Sequence, residues 1–149
     1  MLKYHKSSST KFEIGVSIVM EKNGRILFLK RATNIWLGGF YSLPAGKLEK
    51  NETLFDAAIR ELKEEIGIKA KKKELDLIHT LHCITPTKEW FNFIFKLSFW
   101  KGTPLIKEPD KHSEISWLSS TSTSKNIAPH IKHFLKCYNQ NIFYLQYKE

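Results

Sequence analysis

The sequence predicts an α/β fold, a mixed β-sheet packed between helices, and three observations carry that expectation. Two β-rich stretches near the start meet at Asn23-Gly24, a dipeptide suited to the positive φ angles of a tight hairpin turn. One strongly patterned helical segment, Thr53–Gly67, comes next. Two further β-like stretches and a second segment with helical spacing follow it. Strands before and after a helix, with another helix behind them, suit a covered sheet rather than a bundle or a barrel.

Each element has its own reason. Residues 12–20, Phe-Glu-Ile-Gly-Val-Ser-Ile-Val-Met, are rich in β-branched types and alternate in part, so they read as a strand. Arg25–Arg31 is the returning strand, Thr33–Tyr41 with Gly38-Gly39 is a loop, and Ser42–Pro44 begins another short strand. Asn51 or Thr53 caps the first helix, and Gly67 stands where helices commonly stop. Leu75–Cys83 and Trp90–Trp100 are strands separated by Thr85-Pro86-Thr87. Gly102–Ser113 is a polar loop with Pro104 and Pro109, and Ile115–Leu118 is a short strand. Ala128–Tyr138 has apolar residues at Ile131, Phe134 and Leu135, a helical period, and Asn141–Glu149 is aromatic enough to pack as an extended tail.

The 149 residues suit one domain spanning 1–149, with 1–11 expected to be flexible. A hydrophobic fraction of 42% is enough for an ordinary core, and no apolar run approaches the length of a bilayer-spanning helix. Met1–Lys11 lacks the apolar stretch of a secretory signal, so the expectation is a cytoplasmic protein with no membrane partner. Cys83 and Cys137 have no metal-ligand spacing and read as two free thiols. A formal net charge of +9 suits either nucleic-acid binding or steering of an anionic small molecule. The dense cluster at Lys69, Lys71, Lys72 and Lys73 reads as a solvated loop.

The chemistry is concentrated between Gly46 and Ile68. A helical advance of about 100° per residue puts Glu61, Glu64 and Glu65 on one face and Phe55, Ile59, Leu62 and Ile66 on another. Like charges at this spacing cost an isolated helix a few tenths of a kcal/mol per pair, roughly. Hard divalent cations such as Mg²⁺ or Mn²⁺ would offset the repulsion, as could Arg60 and the lysines without any metal. A solvated acidic face explains Glu-x-x-Glu-Glu taken alone. It does not explain why a glycine, a spaced glutamate and Arg-Glu-Leu-x-Glu-Glu-x-Gly-Ile stand at set distances around it.

The segment Gly46–Ile68 resembles the Nudix box, Gly-x5-Glu-x7-Arg-Glu-U-x-Glu-Glu-x-Gly-U with U aliphatic, at every specified position. Gly46, Glu52, Arg60, Glu61, Leu62, Glu64, Glu65, Gly67 and Ile68 fill it without a gap, and Leu43-Pro44-Ala45 resembles the family's usual approach. The resemblance implies a Nudix-type α/β/α sandwich and a MutT-like hydrolase cleaving a phosphoanhydride bond of a nucleoside-diphosphate-linked substrate. It implies Glu61, Glu64 and Glu65 as metal-binding carboxylates, with the Ala45 carbonyl as a further ligand. Glu61 is alternatively the general base, and Glu64 shares the catalytic set. Arg60 would hold the glutamates, Glu52 would brace the loop by pairing with Arg60, and Lys47 would contact phosphate. Gly46 and Gly67 would permit turns. About two or three Mg²⁺ ions, or Mn²⁺ in their place, are expected with substrate bound.

Outside the box the family often takes another acidic ligand from the later loop, and Glu108 is preferred here over Asp110 and Glu114. Trp36, Phe40, Trp90, Phe93 and Trp117 are aromatic candidates for stacking on a base, with Trp36 and Phe93 preferred. The six histidines have no metal-site spacing, and His79 and His82 read as structural residues on opposite faces of a strand. Enzymes for ADP-ribose often carry a proline where this chain has Cys83 and Ile84, and dinucleoside-polyphosphate enzymes a tyrosine where it has Thr85–Thr87. Elimination leaves a nucleoside triphosphate, oxidised ones included, cleaved to monophosphate and pyrophosphate. The alternatives are ADP-ribose or another nucleotide sugar, an RNA 5′ end, which the charge keeps open without favouring it, and a silent nucleotide-binding module. The family includes homodimers, so self-association is open.

Overall fold

The computed structural model describes residues 11–122 and 126–149. The segment expected to be flexible lies, apart from Lys11, outside the described residues. In chain order the elements are β1 (Glu13–Lys22), β2 (Arg25–Arg31), β3 (Tyr41–Ser42), β4 (Ala45–Lys47), α1 (Leu54–Ile66), β5 (Leu75–Ile84), β6 (Glu89–Leu97), β7 (His112–Ser119), α2 (Pro129–Leu135) and β8 (Tyr144–Lys148). A short 3-10 turn, Lys72–Glu74, leads into β5.

The strands form one mixed sheet in the order β3-β2-β1-β6-β5-β8, with β4 paired to β1 and β7 to β2. The β1–β6 and β5–β8 pairs are parallel and the rest antiparallel. Asn23 and Gly24 both have positive φ, 52° and 70°. That is the backbone of a type I′ hairpin, whose twist matches its flanking strands.

Side chains alternate across the strands, so the sheet is covered on both faces. Val16, Ile18 and Met20 of β1 join Leu27 and Leu29 under Ala57, Ala58, Leu62 and Ile66 of α1. Val19 points the other way, joining Ile26, Phe28 and Ile94 beneath Ile131 and Phe134 of α2. The result is an α/β/α sandwich, as the resemblance of the Gly46–Ile68 segment implies.

Three local expectations change. The short strand expected at Ser42–Pro44 is two strands, because the chain changes partner at Leu43-Pro44. Tyr41–Ser42 pairs with β2, while Ala45–Lys47 pairs with β1. The second helix ends at Leu135 rather than Tyr138. There the N–H groups of Cys137 and Tyr138 bond only three residues back, to Phe134 and Leu135. Finally, β7 starts at His112, inside the expected loop, because it pairs with β2 along the whole length of that strand.

Candidate active site

Helix α1 carries the acidic residues, and both its ends are fixed. The Thr53 hydroxyl accepts a hydrogen bond from the Asp56 N–H at 3.2 Å, an N-cap. Gly67 takes a left-handed φ of 72°. Its N–H reaches Lys63 O and the Ile68 N–H reaches Leu62 O, a Schellman closure. Helical steps put Glu61 and Glu65 about 40° apart, and both are buried. Glu64 turns outward, its side chain 47% exposed.

Arg60 ties the box together. Its Nε donates to Glu52 Oε1 at 2.8 Å and its Nη2 to Glu52 Oε2 at 3.1 Å, a bidentate pair. The same Nη2 donates to the Lys47 carbonyl at 2.9 Å. Nη1 donates to Glu61 Oε1 at 2.5 Å and Glu64 Oε2 at 3.2 Å. One guanidinium thus joins the loop before the helix to two carboxylates on it.

Gly46 leaves room for Glu61. A Cβ built there would stand 1.8 Å from Glu61 Oε1, so the carboxylate occupies the space a side chain would fill. Burial pushes the Glu61 carboxyl up to about 7; the Arg60 hydrogen bond opposes this shift, and the Glu65 charge adds to it.

Glu65 is held on both oxygens. The Ala45 N–H donates to Oε2 at 3.0 Å, and His112 Nε2 lies 2.9 Å from Oε1. The loop leading to His112 is laced to the end of α1. The Leu105 N–H donates to Ile66 O at 3.1 Å and the Lys107 N–H to Glu65 O at 2.9 Å. Within the loop, the Lys111 and His112 N–H groups both reach Glu108 O at 3.0 Å. That turn sets Glu108 and His112 side by side. Ligand atoms of Glu65, Glu108 and His112 all lie within 4.8 Å of one another.

A cleft of about 290 Å³ opens beside these residues. Glu61, Glu65, Ala45, Gly46, Lys47 and His112 form its polar side. The other side is aromatic and cationic. Trp36 stacks on His130 with ring centroids 5.9 Å apart and meets Trp90 edge-on at 5.7 Å. Lys88 Nζ stands 4.9 Å from the Trp36 ring and 5.2 Å from Trp90, within cation–π reach. Arg31 Nε donates to the Trp36 carbonyl at 2.7 Å, fixing that loop. Glu13 bridges the two lysines at the mouth, 2.7 Å from Lys47 Nζ and 2.6 Å from Lys88 Nζ. Burial and the charges of Arg31 and Lys88 push His130 down to about 4, so the ring is neutral near pH 7. Asn92 and Ser17, both buried, bond each other in the cleft wall.

Not every residue expected at the site is in the cleft. Phe93 faces the opposite side of the sheet, in the cluster under α1. It pairs in register with Val16, whereas the cleft takes Trp90 and Asn92 from the other face of β6. Glu64 does not line the cleft, because its side chain turns toward solvent. Trp117 stacks on Trp100 at 6.3 Å, away from it. In the other direction, His112 and His130, two of the six histidines whose spacing suggested no metal site, line the cleft. His112 stands four residues after Glu108 in one polar loop, a spacing that could have revealed it. Nothing in the sequence marks His130, which arrives from α2.

The NUDIX domain family model matches residues 11–137. The chain is 33% identical over 92 residues to an 8-oxo-dGTP diphosphatase of Proteus vulgaris, covering 62% of this chain and 80% of that protein. It is 30% identical over 119 residues to an ADP-ribose pyrophosphatase of Methanocaldococcus jannaschii, covering 80% and 69%. A MutT NUDIX hydrolase from Burkholderia pseudomallei has the same fold, with a TM-score of 0.77 at 24% identity over 85% of this chain and 98% of that one. A sequence-level match across most of the chain and an uninterrupted Gly46–Ile68 box lead to one assignment: the chain belongs to the Nudix family, as a MutT-like pyrophosphohydrolase.

Proposed function

We propose that the protein hydrolyses a nucleoside triphosphate, oxidised ones included, to the monophosphate and pyrophosphate. The observation that carries this reading is the two-sided cleft. Trp36, stacked on His130 and edge-on to Trp90, lines the same cleft as the buried carboxylates of Glu61 and Glu65, together with Lys47 and Lys88. Aromatic faces hold a base by stacking, and lysines meet phosphate as point charges. Relatives named 8-oxo-dGTP diphosphatase support the same substrate class.

Hydrolases of this family depend on divalent metal, and the donor set here fits one. Glu108 Oε2 and His112 Nδ1 are buried with no hydrogen-bond partner, beside Glu65. Buried polar atoms are rarely left so. Mg²⁺, or Mn²⁺, would be held by Glu65 and Glu108 with the Ala45 carbonyl, and by Glu64 once its exposed side chain turns inward, about two or three ions in all once substrate is present, with Glu61 left for the proton. Bound there, the metal supplies charge neutralisation for the phosphates and a more acidic water.

The chain's own residues do the rest. Glu61, seated over Gly46, accepts the proton from the attacking water. Arg60 keeps Glu61 and Glu64 from swinging away, and Glu52 in turn fixes Arg60. Lys47 contacts phosphate and Trp36 stacks on the base. Gly67 closes the helix so that Glu65 keeps its position. Two buried free thiols, Cys83 and Cys137, suit the reducing cytoplasm, and among the described residues no helix is long and apolar enough to cross a membrane.

A nucleotide panel with and without Mg²⁺ tests the proposal. It holds canonical and 8-oxo triphosphates, ADP-ribose and a 5′-triphosphorylated RNA. Mg²⁺-dependent pyrophosphate release from a triphosphate is the expected result. Cleavage of ADP-ribose alone, in line with the archaeal relative, would replace it. No turnover of any member would leave a binding module.

A further inference from the structure

We infer that a ring nitrogen of His112 is itself a metal ligand, joining Glu65 and Glu108 in a mixed nitrogen–oxygen centre. The inference rests on the reading of Glu65 and Glu108 as metal-binding residues and adds a ligand that the box does not contain.

Three observations support it. The ligand atoms of the three residues lie within 4.8 Å of one another, close enough to share one cation. His112 is 4% exposed and its Nδ1 has no partner, while Glu108 Oε2 is likewise buried and unpaired. A purely supporting buried histidine would satisfy its second nitrogen on a carbonyl, carboxylate or water, because buried polar atoms are rarely left unpaired. Here that second partner is missing, on the imidazole and on the neighbouring carboxylate together.

The third observation is the backbone. His112 is the first residue of β7, opposite Arg31 on β2. Its N–H and that of Lys111 both close on Glu108 O. The Lys107 N–H is tied to Glu65 O in α1. A loop pinned at both ends presents His112 and Glu108 with little freedom left to lose. Such preorganised donors on rigid elements are what a metal site requires.

The chemical consequence concerns which cation binds. Carboxylates suit Mg²⁺ and Mn²⁺ alike, whereas imidazole suits transition metals. Mn²⁺ accepts both donor types, so the centre favours Mn²⁺ over Mg²⁺.

Pulsed electron paramagnetic resonance on the full chain with one equivalent of Mn²⁺ tests this directly. Echo modulation from a coupled ¹⁴N nucleus is expected, lost in His112→Asn and in His112→Gln. Both variants should also weaken Mn²⁺ binding by at least about tenfold and affect Mg²⁺ less. A check independent of substitution is ¹⁵N-histidine labelling, which must replace the ¹⁴N pattern with a ¹⁵N one. Bound Mn²⁺ with no nitrogen coupling overturns the inference while leaving the carboxylate site intact. Coupling that survives both variants overturns it too, by assigning the nitrogen to another residue. Failure to take up Mn²⁺ at all removes the inference and the underlying metal reading together.

Discussion

Gly46 and Glu61 share one space: the carboxylate of Glu61 lies where a β-carbon on Gly46 would be, 1.8 Å from its Oε1. The glycine of the box is therefore there for close approach, since its φ is not among the positive ones. Gly46→Ala is predicted to push Glu61 aside while the sheet forms normally. A displaced reacting group costs on the order of a hundredfold in rate. A steady-state kcat reduced by that scale, with Tm little changed, is the expected measurement; unchanged turnover would remove Glu61 from the proton step.

Arg60 makes contacts that a lysine cannot copy. Its fork holds both oxygens of Glu52, the Lys47 carbonyl, Glu61 and Glu64 at once. An ammonium keeps the charge and loses the geometry. Arg60→Lys should lower kcat by roughly tenfold and reduce Tm. Equal activity in both proteins would mean that charge alone is needed there.

Glu65→Gln tests the carboxylate itself. The amide is the same size but uncharged, so it can no longer supply the electrostatic role. A fall in kcat of at least about a hundredfold is expected, with the circular dichroism spectrum retained.

Trp36 is 51% exposed and rests on His130 and Trp90. Trp36→Ala removes a stacking surface without opening the core. KM for the nucleotide should rise by roughly tenfold, the scale of one base–aromatic stack, with kcat little changed. A change confined to kcat would contradict a base-binding role.

His130 gives a prediction in pH. The unfolded chain takes a proton on this ring near 6.5, the folded chain only near 4, because of burial and the charges of Arg31 and Lys88. Its contribution is complete above pH 6.5 and shrinks as pH falls toward 4, since only the unfolded state gains the proton in that window. The loss is on the order of 3 kcal/mol. His130→Phe should flatten the acid side of the stability curve between those limits, read as the difference from wild type in urea titrations at each pH.

The parts of the site written in one continuous stretch were legible from the sequence. Gly46 through Ile68 is a single loop and helix, so helical geometry was enough to group its glutamates, while the pairing of Arg60 with Glu52 came from the resemblance to the Nudix box. Distinguishing Glu64 from its neighbours required knowing where the helix sits on the sheet, because only packing decides which of three clustered carboxylates turns outward. Phe93 and Asn92 are adjacent in the chain, yet strand alternation sends them to opposite faces. Which face borders the cleft was settled by the parallel pairing of β1 with β6, a long-range choice that local patterning does not encode. His112 and His130 reach the cleft from β7 and α2 through the same kind of distant contact.

The backbone bonds joining residues 105–107 to residues 65–66 have a consequence for the life of the molecule in the cell. Glu65 and Glu108 are neighbours only once the chain has folded, so an ion held between them, as proposed above, would act as a reversible cross-link that the unfolded polymer cannot make. Each tenfold rise in free ion above its dissociation constant would then strengthen the native state by about 1.4 kcal/mol. Depletion of the ion would loosen the helix end and the polar loop together, exposing both to proteases, so that the lifetime of the enzyme follows the same ion supply as its rate.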